Sequence, residues 1–69
     1  MLKVHFQETI DGIDYRITGA WARFTVWSCA VGGPEWVERS REYVNLGDAR
    51  WCLVATAAQD SRRAAQASR

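Results

Sequence analysis

Residues 5–18 read HFQETIDGIDYRIT and place the pair Asp11-Gly12 between two runs in which apolar and polar residues alternate. An Asp-Gly pair between alternating runs is the strongest short-range signal for a two-residue type I′ hairpin. This turn pairs apolar residues across the ribbon, Ile10 with Ile13 and Phe6 with Ile17. A slip of one residue would turn Arg16 to the apolar side, so the alternation fixes the register.

The opposite side of the predicted hairpin is polar. The same register pairs Thr9 with Asp14, Gln7 with Arg16, and His5 with Thr18. Glu8 is the exception, because it faces Tyr15 on the apolar side. We expect Glu8 to lie near the end of the hairpin, partly solvated and hydrogen-bonded to a tyrosine or an arginine.

A third strand is predicted over residues 23–31, which are rich in aromatic and β-branched side chains. Alternation places Phe24 and Val26 on one face and Trp27 on the other. Residues 36–44, after the Gly32-Gly33-Pro34 turn, fit either a charged edge strand or a helix. We favour the edge strand, because three strands alone make a thin sheet, and the helix remains the alternative.

A helix is predicted after Asn45, which can cap it, with Asp48 in its first turn. Residues 49–66 contain no proline or glycine, and the last few residues are expected to fray. Helical spacing gives a stripe of mostly small residues that can lie close to a sheet: Ala49, Cys52, Leu53, Thr56 and Ala57. A second stripe lies on the far side: Trp51, Ala55, Ala58 and Arg62.

These elements predict one small α+β domain over residues 1–69. We expect a three- or four-stranded antiparallel β-meander with one C-terminal α-helix packed on one face, in two layers. The chain has 69 residues, 48% of them hydrophobic, with a net charge of +1, as expected of a folded domain and not of a disordered segment.

Composition and spacing also predict what the chain lacks. The first residues do not have the layout of a signal peptide and no apolar run is long enough to span a membrane, so we expect a cytoplasmic protein. Cys29 and Cys52 are expected to stay reduced, and no metal or cofactor motif is present. His5 and Cys29 fall on the first and third strands, about 10 Å apart at strand spacing, so no enzyme is expected.

Four tryptophans are more than so small a core can enclose. We expect Trp21 to close one end of the core and Trp36 to lie near the Gly-Gly-Pro turn. Trp27 falls on the outward sheet face and Trp51 on the outer side of the helix. Partly exposed tryptophans are typical of binding surfaces, although Trp27 and Trp36 could also simply cover each other.

Two functions follow, and the first is a non-enzymatic protein-interaction module. Its partner would be another protein or a second copy of the chain, since symmetric dimers are the commonest oligomers. The candidate contact residues are the exposed tryptophans and the arginines around them: Trp27, Trp36, Trp51, Arg16, Arg23 and Arg39.

The alternative is a DNA-binding domain that uses the outward sheet face. That face would present Lys3, Gln7, Arg16, Thr18, Arg23, Thr25 and Trp27. The order of elements resembles small plant and integrase amino-terminal DNA-binding domains, which implies contact through a three-stranded sheet. Asp14 on the same face and the near-neutral net charge favour the protein-interaction module.

Overall fold

The computed structural model describes residues 3–67 as a four-stranded antiparallel sheet in the order β1-β2-β3-β4, followed by one helix. The elements are β1 (Lys3–Ile10), β2 (Ile13–Ala20), β3 (Arg23–Ala30), β4 (Val37–Glu38) and α1 (Leu46–Ala67). The helix packs on β2 and β3, which confirms the predicted two-layer α+β meander. Among these residues, no helix is long and apolar enough to cross a membrane.

The β1–β2 turn is the one that the sequence predicts. Asp11 and Gly12 have φ angles of 50° and 80°, and a type I′ turn needs positive φ at both positions. Glycine adopts this conformation without steric cost, and aspartate is one of the few other residues that tolerates it. The predicted register is confirmed from Ile10–Ile13 to Phe6–Ile17.

The register changes beyond Phe6, where His5 forms a β-bulge. Val4 pairs with Thr18, so the predicted pairing of His5 with Thr18 is wrong. His5 Nε2 instead donates to the Gly19 carbonyl oxygen at 3.0 Å. A bulge inserts one residue into one strand, so side chains beyond it change faces. Lys3 therefore pairs with Gly19 on the helix side of the sheet and is absent from the outward face.

The core lies between the sheet and one side of α1. Its buried members are Tyr15, Ile17, Val26, Ala49, Leu53 and Ala57. Ala49, Leu53 and Ala57 of the predicted inner stripe are buried, whereas Cys52 and Thr56 are only half-buried at its margin. The two buried alanines let the helix lie close to the strands. Glu8 is exposed, because it lies on the edge strand β1 while the helix packs mainly on β2 and β3.

Residues 37–43 follow the free edge of β3, as the edge-strand prediction requires. Val37 pairs with Ser28, and Tyr43 forms a separate bridge to Phe24 with backbone hydrogen bonds of 2.8 and 2.9 Å. Between them, the Ser40 hydroxyl accepts a hydrogen bond from the Val26 amide at 3.0 Å. The segment thus covers an edge that could otherwise pair with another chain.

The helix begins with the predicted cap. Asn45 Oδ1 accepts a hydrogen bond from the Asp48 amide at 2.8 Å, and the Asp48 carboxylate accepts one from Asn45 Nδ2 at 3.0 Å. Asn45 thereby satisfies a backbone amide at the helix start, and its own side-chain amide donates to Asp48. Residues 62–67 at the far end are exposed, and fraying of the chain end stays a prediction.

Candidate functional site on the outer face of the sheet

The outer face is the side of the sheet that α1 does not cover. Trp27 lies there half-buried, as predicted, and its Nε1 donates to Thr18 Oγ1 at 2.8 Å. On its two sides Trp27 pairs with Arg16 of β2 and Glu38 of β4. Directly paired residues in a sheet share a face, so all three side chains belong to one surface.

A stacked pair occupies the part of this surface next to Trp27. The Arg16 guanidinium carbon lies 3.7 Å from the centre of the Trp36 ring. Arg16 Nε is buried and has no hydrogen-bond partner among residues 3–67. Stacking on an indole is a favourable place for a guanidinium. One face of the Trp36 ring is therefore covered by Arg16.

Trp21 is the largest departure from the sequence prediction. Its side chain is 96% exposed, so the prediction that it closes the core is wrong. Ala20 pairs with Arg23, so Trp21 and Ala22 form a two-residue turn that holds Trp21 beyond the end of the sheet. The half-buried Phe24 and Tyr43 pack against the core at this end instead.

The backbone at Trp21 is also strained. Its φ is +60°, a conformation that is uncommon for bulky residues and costs about 1–2 kcal/mol. Trp-Ala is not a typical hairpin pair, so the residues of this turn do not predict it. Gly19 is the residue that indicates a tight turn here. A Cβ at that position would lie 2.1 Å from the Arg23 carbonyl oxygen, so only glycine allows this close approach.

A groove of about 740 Å³ runs along the outer face beside these tryptophans. We call it the outer-face groove, and its lining residues are Thr18, Ala20, Trp21, Arg23, Thr25, Trp27, Glu38 and Glu42. Its volume is typical of sites for small ligands or a few side chains. Within residues 3–67, neither Glu38 nor Glu42 takes part in a salt bridge.

Arg39 lies on the other face of the sheet, so its predicted place on the rim of the outer surface is wrong. Its guanidinium makes two hydrogen bonds of 2.8 Å to the Asp60 carboxylate of α1 and one of 2.9 Å to Ser28 Oγ. The Tyr15 hydroxyl donates to the same carboxylate at 2.6 Å. These contacts join the helix to β2, β3 and the edge segment.

The charges of this network shift its titration. Hydrogen bonds from Arg39, followed by the bond from Tyr15, hold the pKa of the Asp60 carboxyl below its usual value. Burial and the Asp60 carboxylate together raise the pKa of the Tyr15 hydroxyl. The lowered pKa of Asp60 means that its charged form is more favourable in the folded chain than in the unfolded one. The raised pKa of Tyr15 keeps its hydroxyl protonated as a hydrogen-bond donor at neutral pH.

The outer side of α1 forms a second exposed surface. Trp51 is 75% exposed, as predicted, and Val54 beside it is 55% exposed. Arg41, Asp48 and Arg62 line the shallow depression next to Trp51, so its charged groups are mostly basic.

The other reactive side chains are not brought together. His5 contacts Gly19 at one end of the sheet, whereas Cys29 Sγ donates to the Gly33 carbonyl oxygen at the other end, at 3.1 Å. Cys29 and Cys52 are both free thiols. Residues 3–67 contain no group of three or more His, Cys, Asp or Glu placed to hold a metal ion.

Comparison with protein-family models, with curated proteins and with solved structures finds no match to this chain. Two exposed surfaces of the described residues therefore remain as candidate binding sites, the outer face of the sheet and the outer side of α1. Of the predicted contact residues, Trp27, Arg16 and Trp36 lie together on the outer face, and Arg23 lines its groove. Trp51 lies on the helix surface, and Arg39 belongs to the core network.

Proposed function

We propose that this chain is a small non-enzymatic binding domain that docks another protein in the outer-face groove. The observation that carries the proposal is Trp21, a large aromatic side chain held almost fully exposed by a strained turn at the groove's end. Neither feature helps the fold. Exposed tryptophans supply contact area with little loss of side-chain entropy, and strained backbones cluster at functional sites.

The charges of the outer face favour a protein over DNA. On this face the positive charges of Arg16 and Arg23 are offset by the carboxylates of Asp14, Glu38 and Glu42. The bulge at His5 places Lys3 on the other face. A phosphate binder needs an excess of basic side chains. A titration of random duplex DNA at low salt tests this alternative, because salt-sensitive binding there would favour the DNA-binding domain.

Self-association through the outer side of α1 is a second candidate, favoured by exposed Trp51 and Val54. Light scattering over a range of concentrations tests it. A mass that rises with concentration for the natural chain but not for Trp51→Ala would assign the contact to this helix face.

The proposed function also includes a cytoplasmic location. The two free thiols agree with it, because thiols stay reduced in that compartment.

Capture of partners from the source cell tests the main proposal. The natural chain, Trp21→Gly and Trp51→Ala are immobilised at equal density, after circular dichroism has shown that all three are folded. We expect a partner that the natural chain and Trp51→Ala retain equally and that Trp21→Gly loses. Equal retention by all three variants, or loss with Trp51→Ala alone, would overturn the docking of a partner in the groove.

A further inference from the structure

We infer that the outer-face groove accepts a basic side chain of its partner, an arginine above all, between its tryptophans and its two glutamates. This inference rests on the proposed function and specifies the chemistry of the segment that binds. Three observations on the groove carry it: its carboxylates, which lack ionic partners in the described part of the chain, its aromatic walls, and the guanidinium that the same sheet face already holds.

Glu38 and Glu42 line one side of the groove, and neither forms a salt bridge within residues 3–67. Arg23 is the one basic residue among the lining residues, so the lining has two acidic groups and one basic group. A partner group that complements this lining carries a positive charge. An acidic or phosphorylated segment would be repelled.

Trp21 and Trp27 both line the groove, and Trp27 is paired across the strands with Glu38. A cation over an indole face is attracted by the ring quadrupole, and a neighbouring carboxylate adds to the attraction. Guanidinium groups make both contacts well, because they are planar and carry several donors in fixed directions.

The chain itself provides an internal example of this recognition. On the same face, one strand away, the Arg16 guanidinium lies 3.7 Å from the centre of the Trp36 ring. Two more arginines lie over aromatic rings elsewhere, Arg41 over Tyr43 and Arg50 over Phe6. A partner's arginine in the groove would repeat, between chains, a contact that the sheet already makes within one.

The four indole N–H groups give a direct test by two-dimensional NMR. Trp21 and Trp27 report on the groove, Trp36 on the Arg16 stack and Trp51 on the helix. The probes are the acetylated, amidated tripeptides Gly-Arg-Gly and Gly-citrulline-Gly. Citrulline has the same shape as arginine but no charge. Each indole signal is assigned with a single Trp→Phe variant.

We expect the arginine peptide to shift the Trp21 and Trp27 signals and to leave Trp51 in place, because the depression beside Trp51 is mostly basic. The citrulline peptide should bind at least threefold more weakly. The double substitution Glu38→Gln and Glu42→Gln should lower the affinity for the arginine peptide by roughly three- to tenfold, as expected for exposed charge pairs. Glu8→Gln, on the opposite side of the sheet, is the matched control.

Two outcomes separate this inference from the proposed function. If the arginine and citrulline peptides shift Trp21 and Trp27 equally, the groove binds peptides but not through charge, and the inference alone is overturned. If the arginine peptide leaves both groove indoles in place while the captured partner still depends on Trp21, the groove docks a protein by other contacts, and the inference is again overturned.

Discussion

The two faces of the sheet differ in what becomes of their polar and aromatic groups. On the helix side, Tyr15, Ser28, Arg39 and Asp60 are joined in one hydrogen-bonded network, and the apolar side chains are packed around it. On the outer face, Trp21 is exposed and two glutamates lack ionic partners among the described residues. The helix side therefore holds the fold, whereas the outer face keeps groups that the fold does not need.

The sharpest test of this contrast removes packing from the helix side. Leu53 is fully buried, so Leu53→Ala should lower the free energy of unfolding by about 2–5 kcal/mol. A core of this size rarely supplies more than about 3–5 kcal/mol, so the variant should be largely unfolded at 25 °C. Urea denaturation followed by circular dichroism measures the change.

The neighbouring residue is the control for that experiment. Val54 is exposed, and Val54→Ala should change the free energy of unfolding by less than about 0.5 kcal/mol. A Leu53→Ala variant that melts cooperatively with a loss below about 1 kcal/mol would contradict the assigned core.

The second test concerns the buried network and pH. The pKa of Asp60 is lower in the folded chain than its unfolded value of about 3.9. Its stabilisation is therefore complete above that unfolded value and is lost as the pH falls through the folded pKa. Asp60→Asn should lower the free energy of unfolding by about 1–3 kcal/mol at pH 7, since the Asp60 side chain is only 11% exposed.

Urea denaturation at pH 7 and at pH 3 measures this effect in both proteins. The difference between the natural chain and Asp60→Asn should shrink at the lower pH, because acid protonates the carboxylate that the variant lacks. A difference that is the same at both values would mean that Asp60 is not stabilised as a charged group. Glu8→Gln, which alters an exposed carboxylate, should change the free energy of unfolding little at pH 7.

The smallest expected effect is an increase in stability, and it comes from a substitution on the outer face. Trp21→Gly relieves a positive φ, and we expect the free energy of unfolding to rise by about 0.5–1 kcal/mol. Thermal melts measure it against Ala22→Gly, whose φ is not positive and which should gain nothing. A destabilised Trp21→Gly variant would show that Trp21 contributes to the fold and would remove the contrast between the two faces.

The sequence predicted the parts of the fold that depend on local pattern. The Asp11-Gly12 pair and its flanking alternation specified the hairpin and its register as far as Phe6, and Asn45 with Asp48 marked the helix start. It also placed Trp27 outward and Trp51 on the far side of the helix. Each of these depends on neighbours in the chain, where turn chemistry and periodicity act directly.

The candidate site was only partly predictable, because it depends on contacts between distant residues. The bulge at His5 places Lys3 on the helix side of the sheet. Arg39 pairs with Asp60, 21 residues away, and so does not lie on the outer face. The groove between Trp21, Trp27, Glu38 and Glu42 combines three segments that no local pattern joins.

The sequence by itself determined a three-stranded ribbon and a capped helix with an alanine-lined side, because propensity, turn chemistry and alternation act over a few residues. Tertiary structure alone decided which charges are paired within the fold and which lie in an open groove. Whether a carboxylate meets an arginine, as Asp60 does, or faces an open groove, as Glu42 does, depends on where distant elements pack.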